Sequence, residues 1–137
     1  MKHWEHFSHE ADMGIRGIGA TCAEAFEQAA LGLTAMVTDL EGVKPLVHVE
    51  LFCDAPDNDL LLVDWLNTII CEMATRHLVF SSYEVRLTNG HLDGSAWGEK
   101  IDPLRHHPVV EPKGATYTCL TVHREGEIWV AQCVVDV

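Results

Sequence analysis

Two stretches of the chain repeat apolar residues every three or four positions, and most of the rest alternates apolar with polar. Residues 4–7 predict a short strand, and a loop carrying Ser8, His9, Glu10, Ala11 and Asp12 follows. Residues 13–19 predict a second strand, with imperfect alternation because Arg16 and Gly17 separate Ile15 from Ile18. Thr21 followed by Glu24 is a capping box and opens a helix over 21–37, where Cys22, Ala25, Phe26, Ala29, Ala30 and Leu33 line one small, Ala-rich face. Residues 46–53 alternate Val47, Val49 and Leu51 with His48 and Glu50, a strand. Asp57 or Asp59 caps a second helix over 60–76, apolar around more than half its circumference and therefore central. Residues 79–88 and 91–99 form a hairpin about Asn89-Gly90. The three prolines and His106-His107 make 100–113 a surface loop. Residues 115–123 and 127–137 form a last hairpin across Glu125-Gly126. The order is ββαβαββββ: an α+β fold, a mostly antiparallel sheet with two helices packed on one face, in a single domain over 1–137.

Charge narrows the function. The formal net charge is −12, which disfavours direct nucleic-acid binding and favours a basic protein partner. The N-terminal segment lacks the apolar core of a secretory leader, and no apolar run reaches the length of a membrane helix. Five dispersed cysteines with no C-x-x-C predict buried free thiols in a reducing compartment, so the expected location is the cytoplasm. No phosphate-binding loop, dinucleotide fingerprint, nucleophile elbow or zincin motif is present.

The ending is the most suggestive stretch for chemistry. Residues 127–137 stay apolar and β-branched to the last position, which holds the Val137 carboxylate beside that of Asp136. Two like charges about 4 Å apart at an effective dielectric near 20 repel by roughly 4 kcal/mol, unless water or a cation lies between them. A strand end opening both groups to water is one reading, and a cation site is the other. Asp12, in a turn near His9 and Gly14, would add a third hard oxygen ligand, suited to Ca²⁺ or Mg²⁺ rather than Zn²⁺. Sequence does not bring these groups together. His3, His6, His9 and Asp12 recur every three residues, a spacing that alternates faces on a strand and does not build a zinc site there. Trp65 and Trp129 read as core, and Asp54, Asp57 and Asp59 as solvated caps or a second cation site.

Four strings converge on one family. SHEADMGIRGIG resembles the opening of the archeases, usually H-[ST]-A-D-x-G-[IL]; DLLLVDWLNTII resembles their central helix; GEKIDPLRHHPVVEPKGATYTCL resembles their GE…D…H…K-x-x-T-Y segment; and W-x-A-x-x-V-x-D-x matches their ending. The resemblance implies a non-catalytic partner of the RtcB-type RNA ligase, promoting its guanylylation and multiple turnover in tRNA splicing or RNA repair. It implies an α+β fold with a metal near the C-terminus, held by Asp12, Asp136 and the Val137 carboxylate, calcium first with magnesium or manganese as alternatives. Lys113 would act beside them, and His9 and Glu99 fall in matched motifs as functional or partner-contacting residues. The chain departs from the pattern at Glu10, where a small hydroxyl residue is usual, and at Thr118, where a histidine is expected. A small metal-dependent hydrolase using the same carboxylates is the rival reading. Against it stands the lack of a clear general base or substrate pocket in the sequence.

Overall fold

The computed structural model describes residues 2–137. The chain runs β1 (His3–His9), β2 (Asp12–Gly19), α1 (Cys22–Val37), β3 (Val47–Asp54), α2 (Asn58–Arg76), β4 (Leu78–Thr88), β5 (His91–Lys100), α3 (Pro103–His106), β6 (Gly114–Ala115), β7 (Thr121–Glu125) and β8 (Ile128–Asp136). The α+β class and the order of the main elements are as the sequence predicts. The strands do not form the single sheet expected but divide between two antiparallel sheets: β1-β2-β8 with β6 and β7 on the far edge of β8, and β3-β5-β4.

Both helices lie against one face of each sheet. The Thr21 hydroxyl accepts from the Glu24 N–H (3.1 Å) and the Glu24 carboxylate from the Ala20 N–H (2.8 Å), so the capping box forms one residue wider than its usual reach. Asp57 caps α2, and His77 ends it in the left-handed region at φ 54°. The small face of α1 lets β2 approach closely. A Cβ at Gly17 would collide with the Ala25 carbonyl and the Ala29 backbone, a spacing only glycine allows.

The core centres on Trp65, which is fully buried, packs edge-on against Tyr83 and donates its indole N–H to the Phe26 carbonyl (3.1 Å). Thr34 and Tyr83 share a buried hydroxyl–hydroxyl hydrogen bond of 2.7 Å, and burial pushes the Tyr83 phenol up. Trp129 packs on the same core while partly buried.

Three further expectations need correction. Cys71 and Cys119 are exposed rather than buried, Cys71 on the outer face of α2 and Cys119 in a turn at φ 54°; all five thiols are free. Burial pushes Cys22 to about 11 and Cys133 to about 12, which leaves both thiols protonated at neutral pH. The strand expected over 115–123 is broken: only 114–115 and 121–125 pair with β8. His106 is buried inside α3 rather than lying on a surface loop.

Candidate functional site

The turn between β1 and β2 sets His9 opposite Asp12. The β2–β8 register pairs Met13 with Val135, and one further step sets Asp12 opposite Asp136. Directly opposed residues share a face, with Cβ atoms roughly 5 Å apart. Ile15, Ala131, Cys133 and Val135 fill the core, so the alternate positions His9, Asp12 and Asp136 lie on the face away from the helices. The two aspartates, from opposite ends of the sequence, therefore stand side by side at one end of the five-stranded sheet.

The next place in that row belongs to Gly114 of β6, opposite Asp136. The Lys113 N–H donates to the Asp136 carbonyl (2.8 Å), which fixes the backbone of Lys113 at the carboxylate end while its side chain is exposed. Val137 packs partly against the core. Among the described residues, no group of three or more His, Cys, Asp or Glu side chains is arranged to hold a metal. The side chains at this end supply two carboxylates, hard oxygen donors that suit a hard cation, and a third oxygen ligand would have to come from a neutral backbone carbonyl or from the terminal carboxylate.

Beside this end runs an apolar groove of about 450 Å³ between the last turns of α1 and α2 and residues 101–112. Val37, Ile70, Met73, Leu78 and Val110 line it, and its wall at Glu111 and Pro112 leads into Lys113.

Glu99 is not placed to meet a partner. It is buried, 6% exposed, and its carboxylate is taken up by the Lys44 N–H (2.7 Å), the Arg105 guanidinium (2.5 Å) and His106 Nε2 (3.1 Å). The Lys44 backbone donor first, then Arg105 and His106, hold it down at about 2. His106 Nδ1 accepts from the Asp102 N–H (2.8 Å), so its Nε2 carries the proton and donates to Glu99. The Arg105 guanidinium also donates to the Gly42 carbonyl (2.8 Å) and Thr38 Oγ1 to the His106 carbonyl (2.6 Å). Glu99 thus fastens the segment that walls the groove and ends at Lys113. No sequence signal distinguishes this role from a surface role, because the partners come from 38–44 and 102–106.

The other singled-out acids and histidines have separate tasks. Asp57 caps α2, and the Asp59 carboxylate accepts the Val122 N–H (2.8 Å). Asp54 accepts from His91 Nδ1 (2.7 Å), whose Nε2 meets Asp93 (3.1 Å); hydrogen bonds to Asp54 and then Asp93 raise the His91 pKa. His6 bonds the Gly32 carbonyl (2.8 Å), and His3 lies 3.5 Å from Glu5. These histidines serve local pairings.

An acidic α+β domain with two helices held between antiparallel sheets, and an aspartate pair on neighbouring strands at one sheet end, is the class these features define. Residues 4–137 match the model of the Archease protein family (MTH1598/TM1083), and the chain belongs to that family. It is 35% identical to Protein archease of Pyrococcus furiosus, with 100% of both chains covered, and 37% identical to Protein archease of Thermococcus gammatolerans, with 99% of both covered. The solution structure of Protein 1598 of Methanobacterium thermoautotrophicum is similar to it at a TM-score of 0.83 and 29% identity, over 100% of both chains. The crystal structure of an archease from Thermotoga maritima, titled a possible chaperone, shares the fold at a TM-score of 0.61 and 18% identity, over 97% of this chain and 96% of that one. No helix among the described residues is long and apolar enough to cross a membrane.

Proposed function

We propose that this protein is a non-catalytic activator of an RtcB-type RNA ligase, promoting guanylylation of the ligase and its multiple turnover in tRNA splicing or RNA repair in the cytoplasm. The observation that carries the reading is the placing of Asp12 beside Asp136, with the Lys113 backbone bonded to Asp136, in a chain of the archease family. A ligase that binds a nucleoside triphosphate and RNA needs a basic active site. A partner of net charge −12 is drawn to that face and can bring a carboxylate tip to it. The Thermotoga maritima archease, described as a possible chaperone, is in keeping with a protein partner.

In this reading Asp12 and Asp136 hold a divalent cation together with the Val137 carboxylate, calcium first and magnesium or manganese as alternatives. When bound, the cation supplies positive charge that brings the two carboxylates together and orients them. Lys113 presents its ammonium beside them, toward the ligase or its nucleotide, and His9 flanks Asp12 from β1. The chain's own part is positional: sheet register sets the carboxylates, and the 99–113 segment sets the lysine.

Guanylylation of purified ligase, followed by mass change with GTP, tests the role. The expected result is faster formation of the guanylylated ligase with wild-type protein and a loss of most of that acceleration with Asp12→Ala or Asp136→Ala. Calorimetric titration with calcium tests the cation: equal affinity in wild type and both variants would place any bound ion elsewhere.

A further inference from the structure

The broken strand between β6 and β7 is a second feature of the same sheet edge. Ala115 pairs with Val135 and Thr121 with Gln132, so five residues (116–120) stand where β8 has two (133–134). The three extra residues form an outward excursion. Bulges of this kind re-aim side chains next to functional sites. Here the excursion exposes Tyr117, Thr118 and Cys119 in succession, with Tyr117 71% exposed.

The excursion is held at every joint. Val134 serves it twice: its carbonyl accepts from the Thr116 N–H (3.0 Å) and hydroxyl (2.8 Å), and its N–H donates to the Thr118 carbonyl (3.1 Å). The Thr118 N–H donates to the Thr116 hydroxyl (3.2 Å), and the Gln132 amide to the Cys119 carbonyl (3.1 Å). Its feet are clamped by α2: the Ala115 N–H donates to Asn67 Oδ1 and the Val122 N–H to Asp59 Oδ1, each at 2.8 Å. Single exposed apolar residues are ordinary on protein surfaces. An exposed tyrosine on a backbone pinned at both feet and in the middle is different, because the loop's backbone entropy is already lost before a partner arrives, leaving only the ring to be ordered.

We infer that residues 116–120 are a preorganised docking loop whose anchor, Tyr117, inserts its ring into an apolar pocket on the ligase. The inference rests on the activator reading and deepens it, because the loop springs from the β6 strand that lies against Asp136. The occupant is a ligase surface beside its basic active site, toward which a chain of net charge −12 is drawn as a whole; residues 112–124 carry no carboxylate, so the pocket that takes the Tyr117 ring is apolar rather than cationic.

The test is binding of the full chain to purified ligase by calorimetry at fixed salt, for wild type, Tyr117→Ala, Tyr117→Phe and Asn67→Ala, with melting temperature and calcium titration beside it. Anchor residues of this type weaken binding by about 30-fold or more when truncated. The expected result is a loss of that order for Tyr117→Ala at unchanged melting temperature and calcium affinity, near-wild-type binding for Tyr117→Phe, and weaker binding for Asn67→Ala, which frees one foot of the loop. Tyr117→Ala binding within about twofold of a wild type that does bind overturns the loop alone. Wild type that does not bind the ligase overturns the activator reading and the loop with it. Loss of self-association in Tyr117→Ala, with ligase binding retained, assigns the loop to a second copy of this chain and also overturns the proposal.

Discussion

Glu99→Gln isolates the charge of the buried carboxylate while keeping its shape. The carboxylate accepts the Lys44 N–H, the Arg105 guanidinium and His106 Nε2–H, and an amide can offer only one acceptor oxygen to these donors. Its side chain is 8% exposed, so solvent screens these bonds weakly. The folded state holds Glu99 at about 2, against an ordinary 4.5. At 1.36 kcal/mol per unit this corresponds to about 3 kcal/mol favouring the charged folded form. Because the folded value is depressed, that stability is fully present above about 4.5 and is lost as the pH falls through the folded value near 2. The glutamine has no proton to take up there. Urea unfolding followed by tryptophan fluorescence should therefore find the variant about 3 kcal/mol less stable at pH 7, with the gap narrowing steadily between pH 4.5 and pH 3. A gap under about 0.5 kcal/mol at pH 7, or one that does not change down to pH 3, would refute the assignment of Glu99 as the fastener of the 99–113 segment.

Gly17→Ala should destabilise the fold by more than about 2 kcal/mol in the same urea assay, since its Cβ would meet α1 backbone that cannot yield; a neutral substitution would contradict the close approach of β2 and α1. Lys113→Ala should keep the melting temperature, because the side chain is exposed and the Asp136 bond comes from the backbone, yet slow guanylylation of the ligase; unchanged guanylylation would leave Lys113 an ordinary surface lysine. The His91 ring resonance, followed by NMR, should titrate at a lower pH in Asp54→Asn than in wild type, because Asp54 is the first of the two carboxylates that favour its protonated form; an unmoved midpoint would remove that bond.

Periodicity and capping were enough to read the elements that carry the core. The spacing of Ala25, Phe26, Ala29, Ala30 and Leu33, opened by Thr21 and Glu24, is the buried face of α1, and Asn89-Gly90 is the turn of the β4–β5 hairpin. The division into two sheets was not legible, because strand alternation reports which residues face inward but not which strands are neighbours. The same limit kept Asp12 and Asp136 apart in the sequence: the β2–β8 register that joins them is a contact between the two ends of the chain. Residues 115–123 read as one strand because Thr116, Tyr117, Thr118, Thr121 and Val122 all favour strand; the break follows from tertiary bonds to Val134, Asn67 and Asp59, which override local preference. His106 read as a loop histidine because its partners, Glu99 and the Asp102 N–H, meet it only after α3 turns back.

RNA joining by purified ligase, with this protein at about one-tenth of the ligase concentration, tests the central claim most directly. The account predicts many products per ligase with wild type, little more than one without it, and a return toward that lower value with Asp12→Ala or Asp136→Ala. Product that stays at one per ligase in the presence of wild type, or full activation by both aspartate variants, would contradict it.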